Sequence, residues 1–310
     1  MTKYFALAKQ SAWGTEATPD KFFYVVSESY TPRVEVITPD VVTLKETPFG
    51  IRVREWMEGD FTVPIDFNYM GWFFKGLLKD VTTSQPDATN APNTYEHTFT
   101  PTEDAFLDVF TVEKNLDDFL IIRSVNTSIV STTLEAPVGE IITATIGLHG
   151  NFFKKMTSAL SPSYPSLEIC TSNDATLTLE GTSVKVRAFR FTLENSLGID
   201  ESYILGTDAY VQPTLNWREG TIEVDMILED SSIFDYFEAG TELSSLVFDV
   251  VGKEIEAGYN YELKVTSTKS IIVEWSSELR RERLIQSATF RLLDMTNKLS
   301  ILLRNTTSGY

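Results

Sequence analysis

The chain has 310 residues, of which 44 are acidic and 26 are basic, so its formal net charge is −18. Apolar residues make up 42% of it, which is enough to bury a core and excludes a disordered chain. The excess of carboxylates disfavours a protein that reads nucleic-acid sequence by gripping phosphates. The single cysteine excludes an intrachain disulfide and a cysteine-based zinc site.

The acidity has two interpretations. It fits a protein that needs solubility or lives in a saline habitat, and it equally fits a surface that nucleic acid passes without adhering. Both halves of the chain carry the acidic excess, so it is not confined to a tail.

The first half is predicted to be rich in strands. Residues 1–20 form an N-terminal arm with a turn at Gly14, and residues 69–80 form a short helix. Residues 81–95 carry almost no apolar side chains and are predicted to be an exposed loop. The predicted strands are Tyr24–Ser29, Val34–Ile37, Val41–Glu46, Ile51–Trp56, 60–68, 95–100, 107–112, 119–134 and 139–149.

The second half is predicted to repeat this order. Residues 158–165 are rich in serine and proline and form a linker between a first domain, 21–157, and a second domain, 166–310. A short helix is predicted over 231–240, where Ser231 or Asp230 caps its start and Gly240 ends it. The strands 269–275 and 284–293 are joined by a more basic connector, 276–283.

An internal repeat supports the two-domain interpretation. The motif Trp-x-Glu-Gly occurs at 56–59 and again at 217–220, and each copy is followed by alternating apolar and polar residues in the same phase. The apolar phase is Phe61, Val63, Ile65 and Phe67 in the first copy and Ile222, Val224, Met226 and Leu228 in the second. A repeat of this length predicts two copies of one domain, and two such domains suggest a ring with quasi-equivalent positions.

The polar phase supplies the candidate functional residues. Strands of this pattern bury one face and leave the other face wet. The wet face is either a functional surface or the plain solvated side of a half-buried sheet. The candidates are Thr62, Asp66, Thr143, Thr145, Glu223, Asp225, Ser287 and Thr289, with Pro64 and Thr221 in the same phase.

Catalytic and metal-binding motifs are missing from the sequence. Neither His97 nor His149 has a partner at metal-ligand spacing, and no phosphate-binding or nucleophile motif occurs. The chain is therefore not predicted to be an enzyme and needs no cofactor. An alternative is a two-domain β-sandwich that binds carbohydrate or hydrolyses glycosides, with Asp66 and Asp225 as acid and base. Its exposed aromatic candidates are Trp13, Trp56, Trp72, Trp217 and Trp275.

Three segments resemble the major tail, or tail tube, proteins of long-tailed phages. They are 8–17 with its Trp13-Gly14-Thr15 turn, the strand–helix unit that starts at Glu58-Gly59, and the hairpin that runs into Gly139–Thr145. The resemblance covers most of the chain. Its duplicated domain resembles the subset of that family whose subunits form trimeric rings that mimic a hexamer.

The resemblance implies a mainly β fold. Two tandem domains, each an antiparallel half-barrel flanked by a short helix, contribute strands to an intersubunit barrel of about 24 strands and about 48 Å diameter. It implies a structural subunit of the tail tube, whose stacked rings form a channel for DNA delivery. Another virion or appendage shell subunit would obey the same physics.

The resemblance also implies the partners and the place of the protein. The partners are further copies of the chain and the terminator, tape measure and distal tail proteins, while DNA passes without specific binding. The protein belongs to the virion tail and is assembled in the host cytoplasm. No secretory signal and no 18-residue apolar stretch occur in the sequence, so no membrane association is predicted. The candidates above face the lumen, which is predicted to be net negative through Asp66, Glu223 and Asp225.

Overall fold

The computed structural model describes residues 3–38, 49–256, 258–278 and 284–310. Antiparallel strands dominate these residues. The strands of the first half are β1 (Tyr4–Lys9), β2 (Lys21–Phe22), β3 (Ser27–Glu28), β4 (Thr31–Ile37), β5 (Ile51–Pro64), β6 (Lys79–Ser84), β7 (Tyr95–Pro101), β8 (Phe110–Leu116), β9 (Leu120–Pro137) and β10 (Thr143–Met156). The fold is mainly β, as the sequence predicts.

The second half continues in the same manner. Its strands are β11 (Ala175–Leu179), β12 (Thr182–Val184), β13 (Val186–Leu197), β14 (Leu215–Ile227), β15 (Glu242–Leu243), β16 (Leu246–Glu256), β17 (Tyr259–Ser267), β18 (Ser270–Glu278), β19 (Ile285–Leu292) and β20 (Leu299–Asn305). The α-helices of the described residues are α1 (Met70–Leu78), α2 (Ser232–Ala239) and α3 (Met295–Lys298).

Two antiparallel sheets contain these strands. The main path of the large sheet runs β15-β18-β19-β14-β13-β9-β10-β5-β3, and β4 pairs with β5 beside β3. The small sheet runs β12-β11-β16-β17-β20-β7-β6. In the described part of one chain the large sheet stays open, because its two end strands do not pair with each other.

Both sheets combine strands from the two halves of the sequence. β13 pairs with β9 in the large sheet, and β20 pairs with β7 in the small one. The residues of the predicted linker lie outside any strand or helix, between β10 and β11. The division into two domains stays a prediction, since the paired strands cross its proposed boundary.

The apolar phase of the repeated strands forms the core. Phe61 and Ile222 are buried, and Phe61 stacks on Phe5 with ring centroids 4.5 Å apart. Phe73 of α1 meets the same ring edge-on at 5.5 Å. Burial of such side chains removes apolar surface from water and holds the helix against the sheet.

The predicted helices are confirmed as α1 and α2, and Gly240 ends α2 in the left-handed region at φ 60°. The predicted strands Ile51–Trp56 and 60–68 form the single strand β5, which ends at Pro64. The prediction of a loop over 81–95 is wrong at its start, because β6 extends through Ser84. The N-terminal arm contains β1, and the predicted strand Val41–Glu46 lies outside the described residues.

The glycine of the repeated motif is needed for different reasons in its two copies. Gly59 has φ 135°, and a Cβ at this position would lie 2.5 Å from the carbonyl oxygen of Ser29. A Cβ on Gly220 would instead lie 2.7 Å from the sulfur of Met295. Backbone cannot yield at the first position, whereas a flexible side chain can move at the second.

Candidate functional site

One face of the large sheet is polar along most of its strands. The residues of this polar face are Asp60, Thr62 and Pro64 on β5, Thr143 and Thr145 on β10, Ser131, Thr133 and Glu135 on β9, Arg190, Thr192 and Glu194 on β13, Glu219, Thr221, Glu223 and Asp225 on β14, Ser287, Thr289 and Arg291 on β19, and Glu274 and Ser276 on β18. Seven of the eight residues predicted from the sequence therefore lie together on one surface.

A row of five threonines crosses this polar face. They occupy directly opposed positions on five adjacent strands and are, in order, Thr62, Thr145, Thr133, Thr192 and Thr221. The hydroxyl oxygens of Thr62 and Thr145 are 2.9 Å apart, and those of Thr133 and Thr192 are 3.3 Å apart. Cross-strand hydroxyl pairs stabilise neighbouring strands. The row continues without interruption across the pairing of β9 with β13, which is the joint between the two halves of the large sheet.

A second row carries charge across the same joint. Glu135 lies opposite Arg190, and Arg190 lies opposite Glu223, which pairs in turn with Thr289. The Nε of Arg190 donates to Glu135 at 2.8 Å, and its Nη1 lies 3.7 Å from the carboxylate of Glu223. The pKa of Arg190 is raised, first by its hydrogen bond to Glu135. The guanidinium is thus held between two carboxylates.

Carboxylates outnumber cations on the polar face. Seven of its residues are acidic, namely Asp60, Glu135, Glu194, Glu219, Glu223, Asp225 and Glu274, and two are basic, Arg190 and Arg291. Both arginines form ion pairs on the face itself, Arg291 with Glu219. Ser287 donates to Asp225 at 2.5 Å. The face therefore has a formal charge of −5, and its cations are already neutralised by carboxylates beside them.

The prediction that Asp66 joins this surface is wrong. Its side chain is fully buried and accepts hydrogen bonds from the backbone N–H of Asn68 at 2.8 Å and of Glu168 at 2.7 Å. Burial raises the pKa of this carboxyl. β5 ends at Pro64, so the alternation that places Thr62 outward no longer applies two residues later. Asp66 instead ties the segment that precedes β11 to the start of α1.

The histidines serve internal packing. Burial lowers the pKa of His97, whose ring contacts the hydroxyl of Thr83 at 2.9 Å and the carbonyl of Thr307 at 2.9 Å. Burial lowers the pKa of His149 to about 4, and its Nδ1 lies 2.8 Å from the Tyr210 hydroxyl. Among the described residues no group of three histidine, cysteine or carboxylate side chains is placed to hold a metal ion.

The tryptophans are dispersed. Trp13 packs on Tyr210, Trp72 on Tyr310 and Trp275 on Phe234, each in a different part of the fold. These three side chains do not build the shared aromatic platform that the carbohydrate-binding alternative requires. No helix in the described ranges has the length and apolarity needed to cross a membrane.

The sequence-based prediction missed part of the polar face. Thr133 lies on the predicted strand 119–134, and Glu135 follows it directly. Alternation on either side of Leu134 would have indicated that both residues lie on the polar face. Arg190 and Thr192 lie on β13, a strand that the sequence analysis does not predict. Their membership depends on the β9–β13 pairing, for which the sequence carries no local signal.

Comparison with protein-family models gives a match that spans most of the chain. A family model described as "Phage tail tube protein" matches residues 2–272, which includes every strand from β1 to β17 and the start of β18. No curated protein matches the chain.

Proposed function

Because the chain belongs to the phage tail tube protein family, we propose that it forms stacked rings in which the polar face lines the DNA channel. The polar face is the observation that carries this proposal. The opposite side of the same strands is buried in the core, as Phe61, Phe191 and Ile222 illustrate. A lumen bounded by this sheet would therefore meet the polar face and not the apolar side chains of the core.

The number of strands supports a ring of three chains. One chain supplies eight strand positions along the large sheet, from β18 through β5 to the position shared by β3 and β4. Three chains would supply about 24 strands, and at about 4.8 Å per strand and about 40° tilt the barrel is about 48 Å across. Such a barrel has room for a duplex inside its side chains.

The charge of the polar face suits passage of DNA. A basic wall would exchange counterions with phosphates and hold the duplex, in a salt-dependent manner. Here Arg190 and Arg291 are each paired with glutamate, so the wall offers hydroxyl and carboxylate groups. Repulsion between like charges keeps the duplex off the wall, and transit meets little friction.

The same proposal sets the partners and the location. Rings bind further copies of the chain along the tube, and terminator, tape measure and distal tail proteins at its ends or inside it. The subunit is assembled in the host cytoplasm, remains in the virion tail and performs no catalysis.

Electron microscopy of the purified protein in negative stain tests the proposal. We expect rings with a central channel, stacking into tubes as the concentration rises, and sedimentation of the smallest ring as three chains. A globular monomer that forms neither rings nor tubes at high concentration would contradict the proposed function. A ring of six chains would contradict the trimer.

A further inference from the structure

The joint between the two halves of the large sheet is a model for contacts between chains. β13 adds to the edge of β9 in antiparallel fashion, with Arg190 opposite Glu135 and Thr192 opposite Thr133. The backbone N–H of Val138 extends the joint by donating to the carbonyl of residue 187 at 2.9 Å. One half of the chain thus accepts the strand edge of the other.

The repeat shows which strands are equivalent to this pair. Each half contains four strand positions in the same order, β9-β10-β5-β3/β4 and β18-β19-β14-β13. Ser27 on β3 pairs with Thr62, and Arg190 on β13 pairs with Glu223. Thr62 and Glu223 occupy equivalent positions in the two copies of the repeat. β3 therefore holds the position of β13, and β18 holds the position of β9.

The register follows from the same comparison. Ser276 on β18 pairs with Ser287 on β19, and Glu135 on β9 pairs with Thr143 on β10. Ser287 and Thr143 occupy equivalent places on β19 and β10. Ser276 is thus the equivalent of Glu135. Because Ser27 is the equivalent of Arg190, the internal pair of Glu135 and Arg190 corresponds to a pair of Ser276 and Ser27.

Over the described residues of one chain, most of each equivalent edge is open. β15 pairs with β18 only at Ser270 and Ile271. β3 pairs with β5 on one side, and within residues 3–38, 49–256, 258–278 and 284–310 no strand pairs with its other side. The amine of Lys114 donates to the carbonyl of Tyr30, which limits the open stretch at that end. Open edges present unpaired N–H and C=O groups that a further strand can bind.

An exposed apolar patch adjoins the open edge of β3. Val26 occupies the place that Phe189 holds on β13, yet Val26 is 69% exposed and Phe189 only 3%. Tyr24, Leu116 and Tyr164 are also exposed and line, with Val26, a cavity of about 620 Å³. Phe189 is covered because β9 and the small sheet pack around it. The patch around Val26 lacks the corresponding cover, which marks it as a contact surface.

We infer that β18 of a second copy pairs with β3, antiparallel, with its Ser276 opposite Ser27 and its Glu274 opposite Ser29. This contact rests on the proposed function and identifies the surface by which a ring closes. Each chain has one edge of each kind, so the contact is heterologous and closes when the rotation per chain divides a full turn. The polar face then continues from chain to chain, and the end of the incoming β18 covers Val26.

Engineered disulfides test this register. Opposed residues on antiparallel strands have Cα atoms about 4.5–5.5 Å apart, within the range that a disulfide spans. The variant Ser27→Cys/Ser276→Cys, oxidised after assembly, is expected to give covalent trimers on a non-reducing gel that return to monomers on reduction. The native Cys170 does not interfere, because it is buried and burial raises its pKa to about 12.

The neighbouring serine supplies a matched control. Ser277 lies one residue further along β18 and points to the other side of the sheet. We expect Ser27→Cys/Ser277→Cys to cross-link at least about tenfold less, and each single variant to give no trimer. Equal cross-linking through Ser277 would overturn the register.

Microscopy of the same samples separates this inference from the proposed function. Tubes that form without covalent trimers in Ser27→Cys/Ser276→Cys would overturn the edge pairing while leaving the tube function standing. A protein that forms no rings would overturn both.

Discussion

Reversal of charge on the polar face should give the tube affinity for DNA without preventing its assembly. The variant is Glu223→Lys/Asp225→Lys. Glu223 is half exposed and lies 3.7 Å from an Arg190 nitrogen, and the exposed Asp225 accepts one hydrogen bond from Ser287. Loss of such exposed contacts costs less than about 1 kcal/mol each. Rings and tubes should therefore persist.

The size of the gain follows from the charges on the face. Two reversals change the face from −5 to −1 per chain and place about six new amines in a ring of three. Each phosphate contact contributes a slope of about −0.9 in log K against log salt, so a duplex near one wall that meets about half of the amines has a slope of about −2 to −3. Affinity should then fall about 15- to 60-fold between 50 and 200 mM salt.

Co-sedimentation of a short labelled duplex with assembled tubes measures this gain. Wild-type tubes should leave the duplex in solution, while variant tubes should carry it down at low salt and release it at high salt. The control Glu103→Lys/Glu238→Lys makes the same change of charge at exposed positions outside the polar face. Equal binding by the control, or no gain in the variant, would contradict the placement of Glu223 and Asp225 on the channel wall. Loss of tubes in the variant alone would contradict it as well.

Three further comparisons test the fold beneath this face, all by denaturant unfolding. Gly59→Ala should cost about 2 kcal/mol or more because its φ is 135° and rigid backbone lies against it, whereas Gly220→Ala should cost less, and equal costs would contradict this difference. Phe61→Ala should cost about 3–5 kcal/mol and its neighbour Thr62→Ala less than about 1, and the reverse order would show that the faces are misassigned. Burial lowers the pKa of His149 to about 4, so between about pH 4 and the unfolded pKa of about 6.5 the unfolded chain holds a proton that the native chain lacks. Stability should therefore rise with pH across this window and rise less in His149→Gln, and an unchanged slope would exclude His149 as its source.

Alternation along single strands was a reliable guide to the polar face. Thr62, Glu223 and Asp225 project from strands whose apolar phase is buried, and their side follows from that phase alone. Asp66 departs from the pattern because β5 has already ended, and two backbone N–H groups bind its carboxylate inside the protein. Periodicity shows which face a residue takes only while the strand continues.

Local sequence patterns do not predict which strands of the two halves pair with each other. The pairing of β13 with β9 brings Thr192 beside Thr133 across a separation of 59 residues, and β20 pairs with β7 over a still longer interval. Such pairings depend on the fit of whole sheets, which no single segment encodes. The repeat at Trp56 and Trp217 predicts two similar units, but it carries no information on whether their strands share sheets.

A reconstruction of the assembled tube by electron cryomicroscopy would show whether the polar face lines the channel. We expect three chains per ring, with the threonine row that includes Thr133 and Thr192 and the carboxylates Glu223 and Asp225 all facing the channel. A tube in which this face lies on the outer surface, or is buried between neighbouring chains, would contradict it.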